Sequence, residues 1–104
     1  MERLSGRDIK IAWAQTRDAL ELTFTIIGAI GTTTEPELKQ ATDEELIINW
    51  APVAFHAKFF KAIRGISARW RVLGNGKLEV QVRKGQGVSG QWARPFEAKL
   101  PYVA

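Results

Sequence analysis

Residues 66–84 read ISARWRVLGNGKLEVQVRK. Apolar side chains alternate with polar ones on both sides of Gly74-Asn75-Gly76: Ile66, Ala68, Trp70 and Val72 before it, Leu78, Val80 and Val82 after it. A period of two is the signature of a strand that buries one face and wets the other. Asn-Gly supplies the positive φ angles of a tight turn, so the stretch predicts a β-hairpin.

The same period runs outward from that hairpin. Ile9, Ile11 and Trp13 form one set, and Leu20, Leu22, Phe24 and Ile26 another. Leu46, Ile48 and Trp50 follow, with Ile47 making that strand apolar on both faces, and then Phe55, Ala57 and Phe59. Thr16-Arg17-Asp18 and Asp43-Glu44 read as turns, Gly28 to Pro36 and Gly85 to Gly90 as loops. The second of these loops is expected to be mobile. Glu37 to Thr42 reads as a weaker strand, and Ala51-Pro52 ends the strand before it. Phe59 to Ile63 reads as a strand end with a bulge rather than a helix. The sum is about seven short strands, an all-β antiparallel sandwich or small barrel. A length of 104 residues suits one domain, and 45% hydrophobic with 25% charged residues is ordinary for a folded chain.

Charge is uneven along the chain. Residues 1–52 carry five Lys or Arg against nine acids, and residues 53–104 carry ten against two. A basic half can meet an acidic partner, nucleic acid or a membrane surface. Interleaving of the two halves in a small β-domain favours a mixed, solvated surface instead. Arg69-Trp70-Arg71 could serve single-stranded nucleic acid. Alternation turns Trp70 inward and both arginines out, so the triplet reads as a core residue between surface charges.

Catalytic and metal chemistry is sparse. There is no cysteine and one histidine, His56, on the wet face of its strand. No zinc set can be assembled, and a solitary surface histidine is a weak general base candidate. Asp43-Glu44-Glu45 reads as a solvated turn. Gly85-Gln86-Gly87-Val88-Ser89-Gly90 matches G-x-G-x-x-G, which binds dinucleotides only when it opens a helix inside a βαβ unit. Pro95 follows too soon, so no cofactor is expected. The N-terminus has no apolar run of the kind found in secretory signals. No segment has the ~20 apolar residues of a spanning helix.

Several of these residues carry a resemblance as a set. Trp13-Ala14-Gln15-Thr16 resembles the W-x-Q-T opening of the CS domain family, which includes the small co-chaperone of the ninety-kilodalton heat-shock protein. Glu45 to Pro52, running on into Phe55, is similar to the middle strands of CS domains, especially those of the dyslexia-susceptibility-candidate dynein assembly factor. Leu78 to Lys84, then Gly85 and Trp92, resembles the last strand and R-K-G…W signature of the co-chaperone, and Lys99-Leu100 falls where it has a similar pair. The resemblance spans about residues 8 to 100.

The resemblance implies a compact, immunoglobulin-like antiparallel β-sandwich of seven to eight strands, as in small heat-shock proteins. The sandwich is expected over residues 8–92, and Ala93 to Ala104, with two prolines and no clear period, reads as a C-terminal extension or tail. The resemblance also implies a non-enzymatic, cytoplasmic, monomeric module without cofactor or metal. Such a module binds the ninety-kilodalton chaperone, or serves as an adaptor in dynein or cytoskeletal assembly, with no nucleic acid or membrane partner. Carried over by position, the partner-binding residues are Arg83, Lys84, Trp92 and Arg94. Arg83 and Lys84 end a strand beside a glycine loop, from which their charges are expected to reach a partner. Trp92 fits an interface anchor and an edge-capping core residue equally well. The chain departs from the co-chaperone in having Trp92-Ala93-Arg94-Pro95-Phe96 where that protein has W-P-R-L-T, and in lacking its long acidic tail.

Overall fold

The computed structural model describes residues 9–26, 38–50, 53–74, 76–100 and 103. The expected Gly28–Pro36 loop, the Ala51-Pro52 strand end and Asn75 of the hairpin turn lie outside the described residues. Seven strands follow one another: β1 (Ile9–Gln15), β2 (Ala19–Ile26), β3 (Leu38–Ala41), β4 (Glu45–Trp50), β5 (Val53–Lys58), β6 (Ile63–Gly74) and β7 (Lys77–Lys84). They form two antiparallel sheets, one in the order β1-β2-β7-β6 and one in the order β3-β4-β5. The fold is an all-β sandwich of four strands on three.

Alternation does its expected work in most strands. Ile9, Ile11, Leu20, Leu22, Phe24, Ile26, Leu78, Val80 and Val82 bury the inner face of the larger sheet, and Leu46, Ile48, Phe55 and Ala57 that of the smaller. Burying one such side chain fully stabilises the fold by roughly 1.5–3 kcal/mol. A row of rings ties the layers together. Phe24 meets Phe55 edge-on at 5.2 Å between centroids, Phe55 meets Phe96 at 5.3 Å, and Phe96 stacks on Phe59 at 5.6 Å.

Strand β6 departs from the expected phase. Ile66, predicted to point inward, is fully exposed, while Ile63 is 2% exposed. Arg64 stands opposite Arg83 and Arg69 opposite Gln81, so four residues, Gly65 to Ala68, face Val82 alone. Three extra residues is an odd number, and an odd insertion reverses which side chains point inward. Ile63 before the bulge and Ala68, Trp70 and Val72 after it therefore all pack toward the core, and Ile66 is left at the crest.

The bulge is built by contacts with the other sheet. A Cβ on Gly65 would lie 2.7 Å from the Ala41 carbonyl oxygen and 2.7 Å from the Thr42 carbonyl carbon, so only glycine fits. The Gly65 amide donates to Asp43 Oδ1 at 2.9 Å, and the Ile63 amide to the Asp43 carbonyl at 2.8 Å.

Residues 93–100 and Val103 pack across the sandwich. Pro95 and Phe96 are buried, and Phe96 bridges Phe59 beside β5. Val103 bridges Ile11 of β1. These residues thus cover an edge of each sheet, which keeps unpaired strand backbone from other chains.

Candidate protein-binding site at one end of the sandwich

The two short motifs, Trp13–Thr16 and Arg83-Lys84-Gly85…Trp92, lie 67 or more residues apart and meet at one end of the molecule. Gln15 is one inward step beyond Trp13 on β1, and Lys84 one inward step beyond Val82 on β7. Two polar side chains thus enter the core side of the sandwich where its apolar layer stops. They satisfy each other: Lys84 Nζ donates to Gln15 Oε1 at 2.7 Å. The same ammonium donates to the Thr16 carbonyl at 2.7 Å and to the Gly90 carbonyl. Its three N–H bonds are all used. It also lies 5.5 Å from the Trp92 ring centroid.

Gln15 is equally committed. Its Oε1 also accepts from the Trp92 amide at 2.8 Å, and its Nε2 donates to the Trp92 carbonyl at 2.9 Å. This pair imitates a strand ladder across a loop. The Trp92 indole donates to the Val88 carbonyl at 2.9 Å, and Trp92 is 2% exposed.

The loop from Gly85 to Gly90, expected to be mobile, is tied at both ends. The Gly85 amide donates to the Ala62 carbonyl at 2.9 Å, and the Gly90 amide to the Arg17 carbonyl at 2.8 Å. Thr16 closes the β1–β2 turn, its amide donating to the Ala19 carbonyl and its hydroxyl accepting from the Ala19 amide at 3.1 Å.

The four carried-over residues divide by exposure. Arg83 is exposed on the outer face of the larger sheet. Lys84 is 4% exposed, which corrects the expectation that its charge reaches outward. The cause is visible in the alternation itself, since Leu78, Val80, Val82 and Lys84 share one face. Burial pushes the Lys84 pKa below its usual 10.5, partly opposed by the negative charge of Asp18. Trp92 lies in the core, and Arg94 is half-buried.

Arg94 is held by its neighbours. Its Nε and Nη2 donate to the Glu97 carbonyl at 3.0 and 2.8 Å, and its guanidinium sits 4.7 Å from the centroid of Phe60. Phe60 in turn lies 6.1 Å from Trp92. Arg94, Phe60, Trp92 and Lys84 thus form a series running from the surface inward, two rings between two cations. Lys61, exposed and 5.8 Å from Phe60, adds a second surface cation. The sequence gives no strong signal for Phe60 and Lys61, because they sit in a connection without a period.

Among the described residues no group of three or more His, Asp or Glu could hold a metal. Among the described residues no helix is long and apolar enough to cross a membrane. Comparison of the chain with protein-family models and with curated proteins finds no match.

Proposed function

We propose that the chain is a non-enzymatic protein-interaction module of the CS type, a cytoplasmic co-chaperone or adaptor of the ninety-kilodalton heat-shock chaperone. One observation carries this reading. The two motifs that resemble the CS family build a single interlocked structure, Gln15–Lys84–Trp92, that holds Arg94 and Phe60 in place at the surface. A pre-organised Arg on an aromatic ring loses little freedom on binding, and Arg and aromatic residues are typical interface anchors. The four-on-three sandwich agrees with the fold that the resemblance implies.

Within this reading the partner meets Arg83, Arg94, Lys61 and Phe60, while Lys84 and Trp92 support them from beneath. The test is titration of the isotopically labelled chain with purified chaperone, with and without a non-hydrolysable ATP analogue. Nucleotide-dependent shifts centred on Phe60–Lys61 and residues 83–94 are expected. Arg94→Glu should weaken binding about tenfold, equivalent to ~1.4 kcal/mol. Absence of chaperone binding in either nucleotide state, with enrichment of assembly factors in a pull-down, would replace this reading with the assembly-adaptor one. That alternative draws on the resemblance at Glu45 to Pro52.

A further inference from the structure

We propose that the groove beside the β6 bulge binds an extended acidic segment of a protein partner, with Arg64, Arg69 and Arg83 holding its carboxylates and Ile66 meeting its aliphatic side chain. The inference rests on the reading of the chain as a protein-interaction module, and not on which chaperone it serves.

The groove, of about 590 Å³, runs along β6 and β7 of the larger sheet. Ala68 and Val82 contribute to it, and Ile66, Arg69 and Arg83 stand along its sides. Arg64 and Arg83 are direct cross-strand partners, both exposed. Like charges directly opposite one another destabilise a sheet. Arg69, exposed and paired with Gln81, adds a third positive charge on the same face.

No nearby acid forms a salt bridge with Arg64, Arg69 or Arg83 among the described residues. Glu79 is paired with Arg71 at 3.1 Å, and Glu21 accepts from Gln81 Nε2 at 3.0 Å. Asp18 lines an adjoining groove of about 280 Å³ together with Arg64 and Arg83, and Asp43 caps the Gly65 amide. Neither forms an ion pair with the three arginines among the described residues. An anionic ligand is the missing counterpart of this arrangement.

The apolar element is held in place by design of the backbone. Ile66 is 100% exposed because the bulge throws it outward, and Ser67 pins the bulge. Its hydroxyl donates to the Arg64 carbonyl at 2.5 Å and accepts from the Arg83 amide at 2.9 Å. A fully exposed isoleucine in a groove that Arg69 and Arg83 also line suits a peptide that alternates carboxylates with an aliphatic residue. Guanidinium forks match carboxylates bidentately. Single-stranded nucleic acid would need exposed rings to stack on. The groove lining has none, and Trp70 of β6 packs toward the core.

The test uses the full, isotopically labelled chain and a capped pentapeptide, Asp-Glu-Leu-Asp-Glu, at low salt. Amide shifts confined to residues 64–69 and 81–83 are expected. Affinity should fall at least about fivefold between ~50 and ~300 mM salt, as exposed charges are screened. Arg64→Gln should weaken binding about fivefold or more while its melting temperature holds or rises, because the like-charge pair is relieved. Ile66→Ser should weaken the same peptide about threefold at unchanged melting temperature. Shifts centred elsewhere, no shifts at millimolar peptide, or tighter binding of an oligothymidylate would overturn the assignment. Peptide binding without chaperone binding supports the groove and removes the chaperone reading. Chaperone binding without peptide binding does the reverse.

Discussion

Replacing Lys84 by methionine isolates what its ammonium does. Methionine keeps the length and apolar stem of the side chain but cannot donate. The variant loses the bonds to Gln15 Oε1, the Thr16 carbonyl and the Gly90 carbonyl. Gln15 Oε1 keeps its bond from the Trp92 amide, so the two backbone carbonyls bear most of the loss. A buried polar group left unpaired costs about 1–3 kcal/mol. Relief from desolvating the ammonium returns part of that cost. Net destabilisation should be about 2–4 kcal/mol. Urea denaturation is the assay: the midpoint should fall by roughly 1.3–4 M at an unchanged slope of about 1–1.5 kcal/mol/M. The Trp92 indole proton, bonded to the Val88 carbonyl, should move or broaden in the NMR spectrum. Arg83→Glu, one residue away but exposed, should change stability by less than about 0.5 kcal/mol. A Lys84→Met variant as stable as the parent, with the indole resonance in place, would refute the reasoning. It would mean that the ammonium faces water and that Gln15 and Trp92 hold together without it. The same geometry shows why reversing Arg83 and Lys84 together is a poor probe of binding: the Lys84 change would dismantle the end of the sandwich.

The bulge makes a paired prediction: Ile63→Ala should cost about 2–5 kcal/mol, and Ile66→Ser less than about 0.5 kcal/mol, by the same denaturation assay. Equal effects would return β6 to an unbroken alternation. Gly65→Ala should destabilise by more than about 2 kcal/mol, since its Cβ would meet backbone atoms of Ala41 and Thr42 that no side-chain rotation can clear. A near-neutral result would show that β3 and β6 do not approach this closely. The lowered Lys84 pKa has a pH signature. Between that lowered value and 10.5 the unfolded chain binds more protons than the folded one, so the Lys84 contribution to stability rises with pH across that window. The stability gap between the parent and Lys84→Met should therefore widen on approach to pH 10.5. A gap that narrows over the same range would contradict it.

Much of the architecture is legible in the chain before folding is considered. Period-two alternation depends only on successive side chains pointing to opposite sides of an extended backbone, so it marks β1, β2, β4, β5 and β7 and most of their buried faces. The candidate site is legible in part. Continued by one step, the inward phases Ile9-Ile11-Trp13 and Leu78-Val80-Val82 reach Gln15 and Lys84, so the alternation itself places Lys84 inward. A terminal lysine after an Arg beside a glycine loop instead suggests a solvated charge, and local chemistry obscured the phase.

Other features depended on contacts between distant segments. Nothing within residues 63–72 says where the three extra residues of the bulge fall. Gly65 wedged against Ala41 and Thr42 decides it, and with it the burial of Ile63 and the exposure of Ile66. Phe96 joins the aromatic core because its segment pairs beside β5, not because of any period in its own neighbourhood. The sequence by itself determined the strands, their turns and most of their inner faces, since these follow from local backbone geometry and side-chain polarity. Only the tertiary structure decided which polar groups are partners. An ammonium, an amide and an indole can share one end of a sandwich only after β1 and β7 have brought residues 15, 84 and 92 together, and no local rule encodes that meeting.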